Sequence, residues 1–364
     1  MVTALFTALA LARGLAHGFD WADDDRWHQE GRGAVFALTN ATAGNAVVAY
    51  RRAANGPLTP AGTFPTGGLG TGAGLMSQNA IVVTDDRRFV LAVNAGSNSI
   101  STFRIRHDRL QLVHTVSSRG VMPTSIAVRN GLVVVLNAGT PNSVAGFRLG
   151  PLGRLYPIPG FTRALSAAST SPAQVSFSDD GDTLIVTERA TNLITTFDLD
   201  DEGLDGPFFT PSAGPTPYGF AVGSRNTVFV SEAGAGGGAS TYRLRRGRLD
   251  AISSNVMTGQ RAACWALLTP DGRFGYVSNA GTGNISGFAI GRDGSAQLLD
   301  NTGVSAVTGG NPTDLAMSDD GRYLYARVGN LSAIAVLRIS KNGALTALPA
   351  FTGTPAGLAG LAGF

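Results

Sequence analysis

The stretch at 132–147, LVVVLNAGTPNSVAGF, decides how this chain folds. A valine-rich apolar run ends on Asn137, a polar turn follows, and a second apolar run closes on Phe147. Short β-branched runs separated by Gly, Pro, Asn and Ser predict a pair of antiparallel strands. The pattern recurs. In each copy the run after the polar turn ends on a large residue, Tyr50, Phe103, Phe147, Phe197, Tyr242, Phe288 or Leu337, at a spacing of about 48 residues.

Each copy carries four short β-rich segments. In the second, NAIVVT reads as strand a, RRFVLAVN as strand b, SISTFRI as strand c and LQLVHTVS as strand d. Residues 33–64 supply strands b, c and d with no strand a before them, while the tail TPAGLAGLAGF at 354–364 lines up with strand a starts such as NPTDLAM. A four-stranded unit repeated at this interval cannot bury both its faces alone, so the units must stack radially. The expected fold is all-β: a seven-bladed β-propeller of four-stranded antiparallel blades over 33–364. Its ring closes by the C-terminal strand joining the N-terminal blade, which removes the open edges.

The turns have their own logic. TDDRR, RNG, SDDGD, TPDGR and SDDGR between strands a and b place Asp or Asn beside Gly, the chemistry of hairpin turns. The ligand ladder of a calcium loop is missing, so no metal is expected. GGLGTGAG at 67–74 precedes a strand and no helix follows it, so it is not read as a dinucleotide loop and no cofactor is expected.

Composition narrows the function classes. The chain has 364 residues, 43% hydrophobic and only 15% charged, with a net charge of +3, which gives weak support to a nucleic-acid surface. Lys341 is the sole lysine, and Cys264 the sole cysteine, which excludes an internal disulfide. Residues 1–32 read as a leader. Its apolar run is close to the length of a signal-peptide core, but basic residues are missing before it and Arg13 follows. A shortened export signal or a small amphipathic helix fits equally, with a periplasmic or secreted location slightly favoured. No later run reaches membrane-spanning length, and a monomer is expected.

The segments RRFVLAVNAGSNSISTFRI at 87–105, GRFGYVSNAGTGNISGFAI at 272–290 and GRYLYARVGNLSAIAVLRI at 321–339 resemble the seven-bladed propeller lactonase family. That group contains propeller-type 6-phosphogluconolactonases and carboxymuconate-cyclising enzymes, and the resemblance covers about 33–364. It implies a lactone hydrolase or lactonising enzyme. Enzymatic members carry a Pro-His pattern at a strand a start and an Asp-Leu-Gly-x-Asp segment at a strand b to c turn. Here Ala173 and Gln174 stand in SPAQVSFSDDGD, and VTERATN at 186–192 replaces the acidic segment. His17, His28, His107 and His114 all lie outside strand a starts.

Candidate site residues gather where strand a begins and strand b ends, on one face of a propeller. Asn94, Asn137 and Asn279 end strands b, where loop capping is the simpler reading and substrate binding the other. Glu188, Glu232 and Arg327 break that neutral pattern and are the expected catalytic residues: a glutamate as general base toward water, an arginine for the oxyanion. Arg189 would grip an anionic group, with Gln174, Tyr218, Trp265 and Asp314 completing the substrate contacts. The expected ligand is a small anionic molecule, a sugar-like or carboxylated lactone, at the central channel mouth. A rim salt bridge, a non-catalytic binding propeller or a structural surface repeat would show the same residues. An open funnel would favour the enzyme, and a channel sealed by Trp265 and Tyr218 the others.

Overall fold

The computed structural model describes residues 32–107, 109–200 and 203–364. The leader reading for 1–32 therefore falls almost wholly outside the described residues. Within them the chain forms seven antiparallel sheets in sequence order, the blades of one ring, and no α-helix. Among the described residues no helix is long and apolar enough to cross a membrane.

Blade 1 is built from both ends of the ring. Strands Gly33–Leu38, Ala46–Arg52 and Leu58–Pro65 supply its outer three, and Ala359–Gly363 pairs with the first of them, Leu38 opposite Ala359 and Val35 opposite Gly363. The other strands a are Ile81–Val83, Pro123–Arg129, Pro172–Phe177, Pro217–Gly223, Ala263–Leu268 and Pro312–Met317. In blades 3 and 6 strand d is interrupted, as Leu155–Pro157 with Arg163–Ala164 and Ala296–Leu298 with Ala306–Val307.

Strands b and c are buried on both faces because each blade is covered by its two neighbours. Continuous runs such as LVVVLN, instead of alternating ones, follow from that double burial. All seven anchor residues lie in strands c and are buried, Phe103, Phe147, Phe197 and Phe288 completely. They fill the wedge between neighbouring blades.

The a-to-b hairpins repeat one device. Thr84, Ser178, Thr269 and Ser318 each donate a hydroxyl hydrogen bond of 2.6 Å to the Asp two residues on. Gly181 then takes φ +87°, which a side chain rarely adopts. These hairpins and the c-to-d turns form one face of the disc. The d-to-a and b-to-c loops form the other, the loop face.

Truncating an anchor tests the wedge packing. Phe197→Ala should cost about 3–5 kcal/mol in urea unfolding, the usual loss for a fully buried aromatic. A loss near zero would mean that strand c is not held between blades as described.

Candidate functional site

The strands b set the loop face by ending in register with the strands a. Pro172 lies opposite Glu188, Pro217 opposite Glu232 and Ala263 opposite Asn279. The side chain at each of these ends reaches along its sheet to strand c. Asn94 bonds Ser101 at 2.8 Å and Asn279 bonds Ser286 at 2.8 Å, while Glu188 accepts from Thr195 at 2.6 Å and Glu232 from Ser240 at 2.6 Å. One position thus serves asparagine and glutamate alike.

Glu188 is fully enclosed. Besides Thr195 it accepts from the Thr191 hydroxyl at 2.8 Å, the Ser166 N–H at 3.2 Å and the Ser166 hydroxyl. Glu232 is also buried, under the loop at 212–216, where Gly214 packs so closely that a Cβ there would collide with the carboxylate. Burial pushes its pKa up against the hydrogen bonds from Ser240, Gly214 and Ser212. Asn137 is covered in the same way by Gly120, and donates to the Ser118 carbonyl at 3.3 Å.

Arg327 belongs to a different place. It stands one residue before Val328, the blade 7 counterpart of the glutamates, so its side chain leaves the opposite face of strand b. Its counterparts are Thr187, Ser231 and Ser278, whose hydroxyls bond the backbone of strands a at Tyr218, Gly219 and Trp265. Arg327 therefore faces the axis, where it donates to the Thr313 hydroxyl, and the structure does not bring it together with Glu188 and Glu232.

At the axis a separate group has formed. The Tyr218 ring lies 5.2 Å from that of Trp265, and the Arg189 guanidinium stacks over Tyr218 at 5.0 Å while its Nε donates to the Ser171 carbonyl at 2.9 Å. The Tyr218 hydroxyl is buried with no partner among the described residues. Burial pushes the Cys264 thiol up to about 12, with only Arg189 opposing, so it is no thiolate. His107 sits in a c-to-d turn, and His114 accepts from the Leu155 N–H on an outer strand, both away from the axis.

Asp314 carries two anomalies. Its φ is +143°, strained for a residue with a side chain, and its carboxyl is buried. Burial pushes its pKa up to about 8, against the Leu315 N–H, the Arg327 charge and the Leu361 N–H. The Leu315 hydrogen bond measures 2.8 Å, and Leu361 is in the C-terminal strand, so Asp314 also stands at the ring closure.

Gln174 bridges blades: its amide accepts from the Phe220 N–H at 2.7 Å and donates to the Phe220 carbonyl at 2.9 Å. Sequence reasoning missed the same device at Gln78. That side chain crosses the axis from blade 2 to blade 6, accepting from the Ala266 N–H at 3.0 Å and donating to its carbonyl at 2.8 Å. Ser77 donates to the Thr124 carbonyl at 2.7 Å, and Trp265 Nε1 donates to the Ser77 carbonyl at 2.8 Å. Ser77, Gln78, Trp265 and Tyr218 together close the axis at the loop face. The readable signal was that Gln78 occupies the position held by Pro123, Pro172, Pro217 and Pro312 in other blades.

The carboxylates are unevenly placed between the two faces. The d-to-a and b-to-c loops contain no Asp or Glu, whereas Arg119, Arg189 and Arg261 lie in them. The hairpin face holds Asp85, Asp86, Asp179, Asp180, Asp271, Asp319 and Asp320.

Comparison with known proteins adds family and fold. The sequence profile described as lactonase, 7-bladed beta-propeller matches residues 43–158 and 240–358. The span between those matches holds Ala173, Gln174 and the 186–192 segment. The periplasmic gluconolactonase of Pseudomonas aeruginosa is similar at 19% identity and a TM-score of 0.73, over 89% of this chain and 98% of that one. A provisionally assigned 6-phosphogluconolactonase of Bacteroides uniformis gives 19% and 0.73 over 88% and 96%. A Lactobacillus plantarum protein gives 16% and 0.76 over 92% and 99%. At these identities the structures establish the fold alone. No curated protein matches the chain.

Two predictions follow from the burial of the carboxylates. Glu188→Ala strands several buried donors and should cost about 2–4 kcal/mol in urea unfolding, with Glu188→Gln losing less. Asp314 binds its proton more tightly folded than unfolded. Its contribution to stability is therefore complete below pH 3.8 and is lost as pH rises through about 8. Asp314→Asn should flatten that part of the stability profile in urea titrations across pH; an unchanged slope would show that Asp314 is not the group responsible.

Proposed function

Because the chain belongs to the lactonase family of seven-bladed β-propellers, we propose that it hydrolyses a lactone bearing an anionic group, bound over the closed axis on the loop face. The observation that carries this reading is the Asp314–Arg327 arrangement at the start of strand a in blade 7. A buried carboxyl with a pKa pushed up to about 8 on a strained backbone, with a guanidinium near enough to act on its charge, is the kind of group that catalysis uses.

In this proposal Arg189 and Arg327 hold the negative charges of substrate and transition state. Ionised Asp314 accepts a proton from water as the water oxygen attacks the ring carbonyl. Arg327 stabilises the tetrahedral oxyanion. When the intermediate collapses, the ring C–O bond breaks and Asp314 returns the proton to the leaving alkoxide, giving the hydroxy acid. Glu188 and Glu232 are loop anchors in this proposal, held by hydrogen bonds from Ser166, Thr191 and Thr195 and from Ser240.

Proton release by the purified protein across a panel of anionic lactones tests the proposal. The kcat/KM should rise with pH through about 8, as Asp314 ionises. Asp314→Asn should lower kcat by about 10²–10⁴-fold, the usual weight of a general base. Loss of activity in Glu232→Gln, with the fold intact and Asp314→Asn active, would return the glutamate to the role of base. The closed axis favours a second reading, a propeller that binds an anion without turning it over. Binding with no turnover across the panel would establish it.

A further inference from the structure

Resting on the lactone site proposed above, we infer that its ligand is amphipathic: an aliphatic or aromatic body with one anionic group, and not a polyhydroxylated sugar lactone. The inference starts from what the loop face has left to offer. A site that recognises a polyol must meet its hydroxyls with positioned acceptors and donors, because unpaired polar groups at a buried contact are costly. Here the strand b ends are withdrawn from the face: Asn94, Glu188 and Glu232 are bonded to strand c, and Glu232 Oε2, Asn137 Oδ1 and Asn279 Oδ1, which have no partner among the described residues, are buried. The two glutamines at the axis are consumed by backbone groups of strands a.

The exposed side chains around the strand a starts include polar ones, Ser171 and Asn311, and a group of apolar ones. Met76, Val121 and Met122 are 50%, 47% and 36% exposed, too open for core residues. They fall in two neighbouring segments, because Ser77, next to Met76, is bonded to Thr124, two residues after Met122. Ser77 also accepts from Trp265, which packs on Tyr218, which carries Arg189 over its outer face. One continuous floor therefore has a methionine- and valine-rich wall on the side of blades 2 and 3, and a guanidinium on the side of blade 4. Isolated exposed apolar side chains are ordinary, but three beside a desolvated aromatic floor, in loops without a carboxylate, suit a ligand with one apolar and one negative end.

The test compares two lactones of equal charge: a γ-lactone carrying a carboxyphenyl or carboxyalkyl substituent, and glucaro-γ-lactone, a polyhydroxylated lactone with one carboxylate. Both are followed by proton release, and their ring-opened hydroxy acids by titration calorimetry. The amphipathic lactone should show a kcat/KM at least about tenfold higher, the discrimination that a methylene or two of apolar contact provides. Met122→Ser should raise KM for that lactone alone, leaving its kcat and the fold unchanged. Preferred turnover of the sugar lactone would overturn this inference while leaving the lactonase reading intact. If neither is hydrolysed but the amphipathic acid still binds more tightly, the lactonase reading fails and the ligand class stands. Equal binding of both acids, or none, would overturn the ligand class.

Discussion

Seven strands must share one narrow axis, and each presents there an edge of N–H and C=O groups that no neighbouring strand can pair. Unpaired backbone groups at a dry centre would cost more than the fold can spare. The chain meets this constraint with side chains. Gln174 bridges to Phe220, the Ser125 hydroxyl accepts from the Val175 N–H at 3.1 Å, and Ser231 holds Gly219 and Cys264. In blade 5 the bridging position is Gly219, which has no side chain to offer. Gln78 fills the gap from across the axis, and a Cβ at Gly219 would run into its amide oxygen.

That solution fixes where chemistry can take place. Once the inner edges are satisfied and Ser77, Gln78, Trp265 and Tyr218 fill the middle, a ligand can approach only from the loop face. Strand b ends are withdrawn from that face where d-to-a loops lie directly on them, Gly68 on Asn94, Gly120 on Asn137 and Gly214 on Glu232. Around the axis stand Arg189, Arg327, Asp314 and the Tyr218 hydroxyl, the last with no partner among the described residues. A glutamate in a neutral repeat looks like a catalytic group in sequence, yet Thr191, Thr195 and Ser166 give Glu188 the partners that asparagine has in other blades.

The arginine-rich composition also has a structural use. On the hairpin face Arg88 donates to the Pro151 carbonyl at 2.8 Å, Arg225 to that of Arg292 at 3.2 Å and Arg273 to that of Lys341 at 2.5 Å. Each of these bonds joins one blade to the next. A planar guanidinium with several donors can reach a turn carbonyl and still lie over a ring, as Arg273 does over Phe274 at 4.9 Å. Placing the aspartates in these hairpins leaves the loop face free of exposed carboxylates in its loops, the condition that an anionic ligand needs.

The sequence by itself determined the fold: the spacing of Tyr50, Phe103, Phe147 and their counterparts, the Asp-Gly hairpins, and the matching partial blades at either end. These features were legible because strand period, turn chemistry and anchor spacing are local, and the same local solution is written seven times. It also offered Arg189 and Arg327, because they break the repeat at strand b ends, and Tyr218, Trp265 and Asp314, because they stand at strand a starts. Only the tertiary structure decided which of them share a space. Glu232 and Arg327 read as equivalent rim charges, but a one-residue difference in register turns their side chains to opposite faces of strand b. Gln78 and Ala266 are far apart in the chain and meet only because the ring closes, and no local pattern encodes a contact made across an axis that exists only when all seven blades are in place.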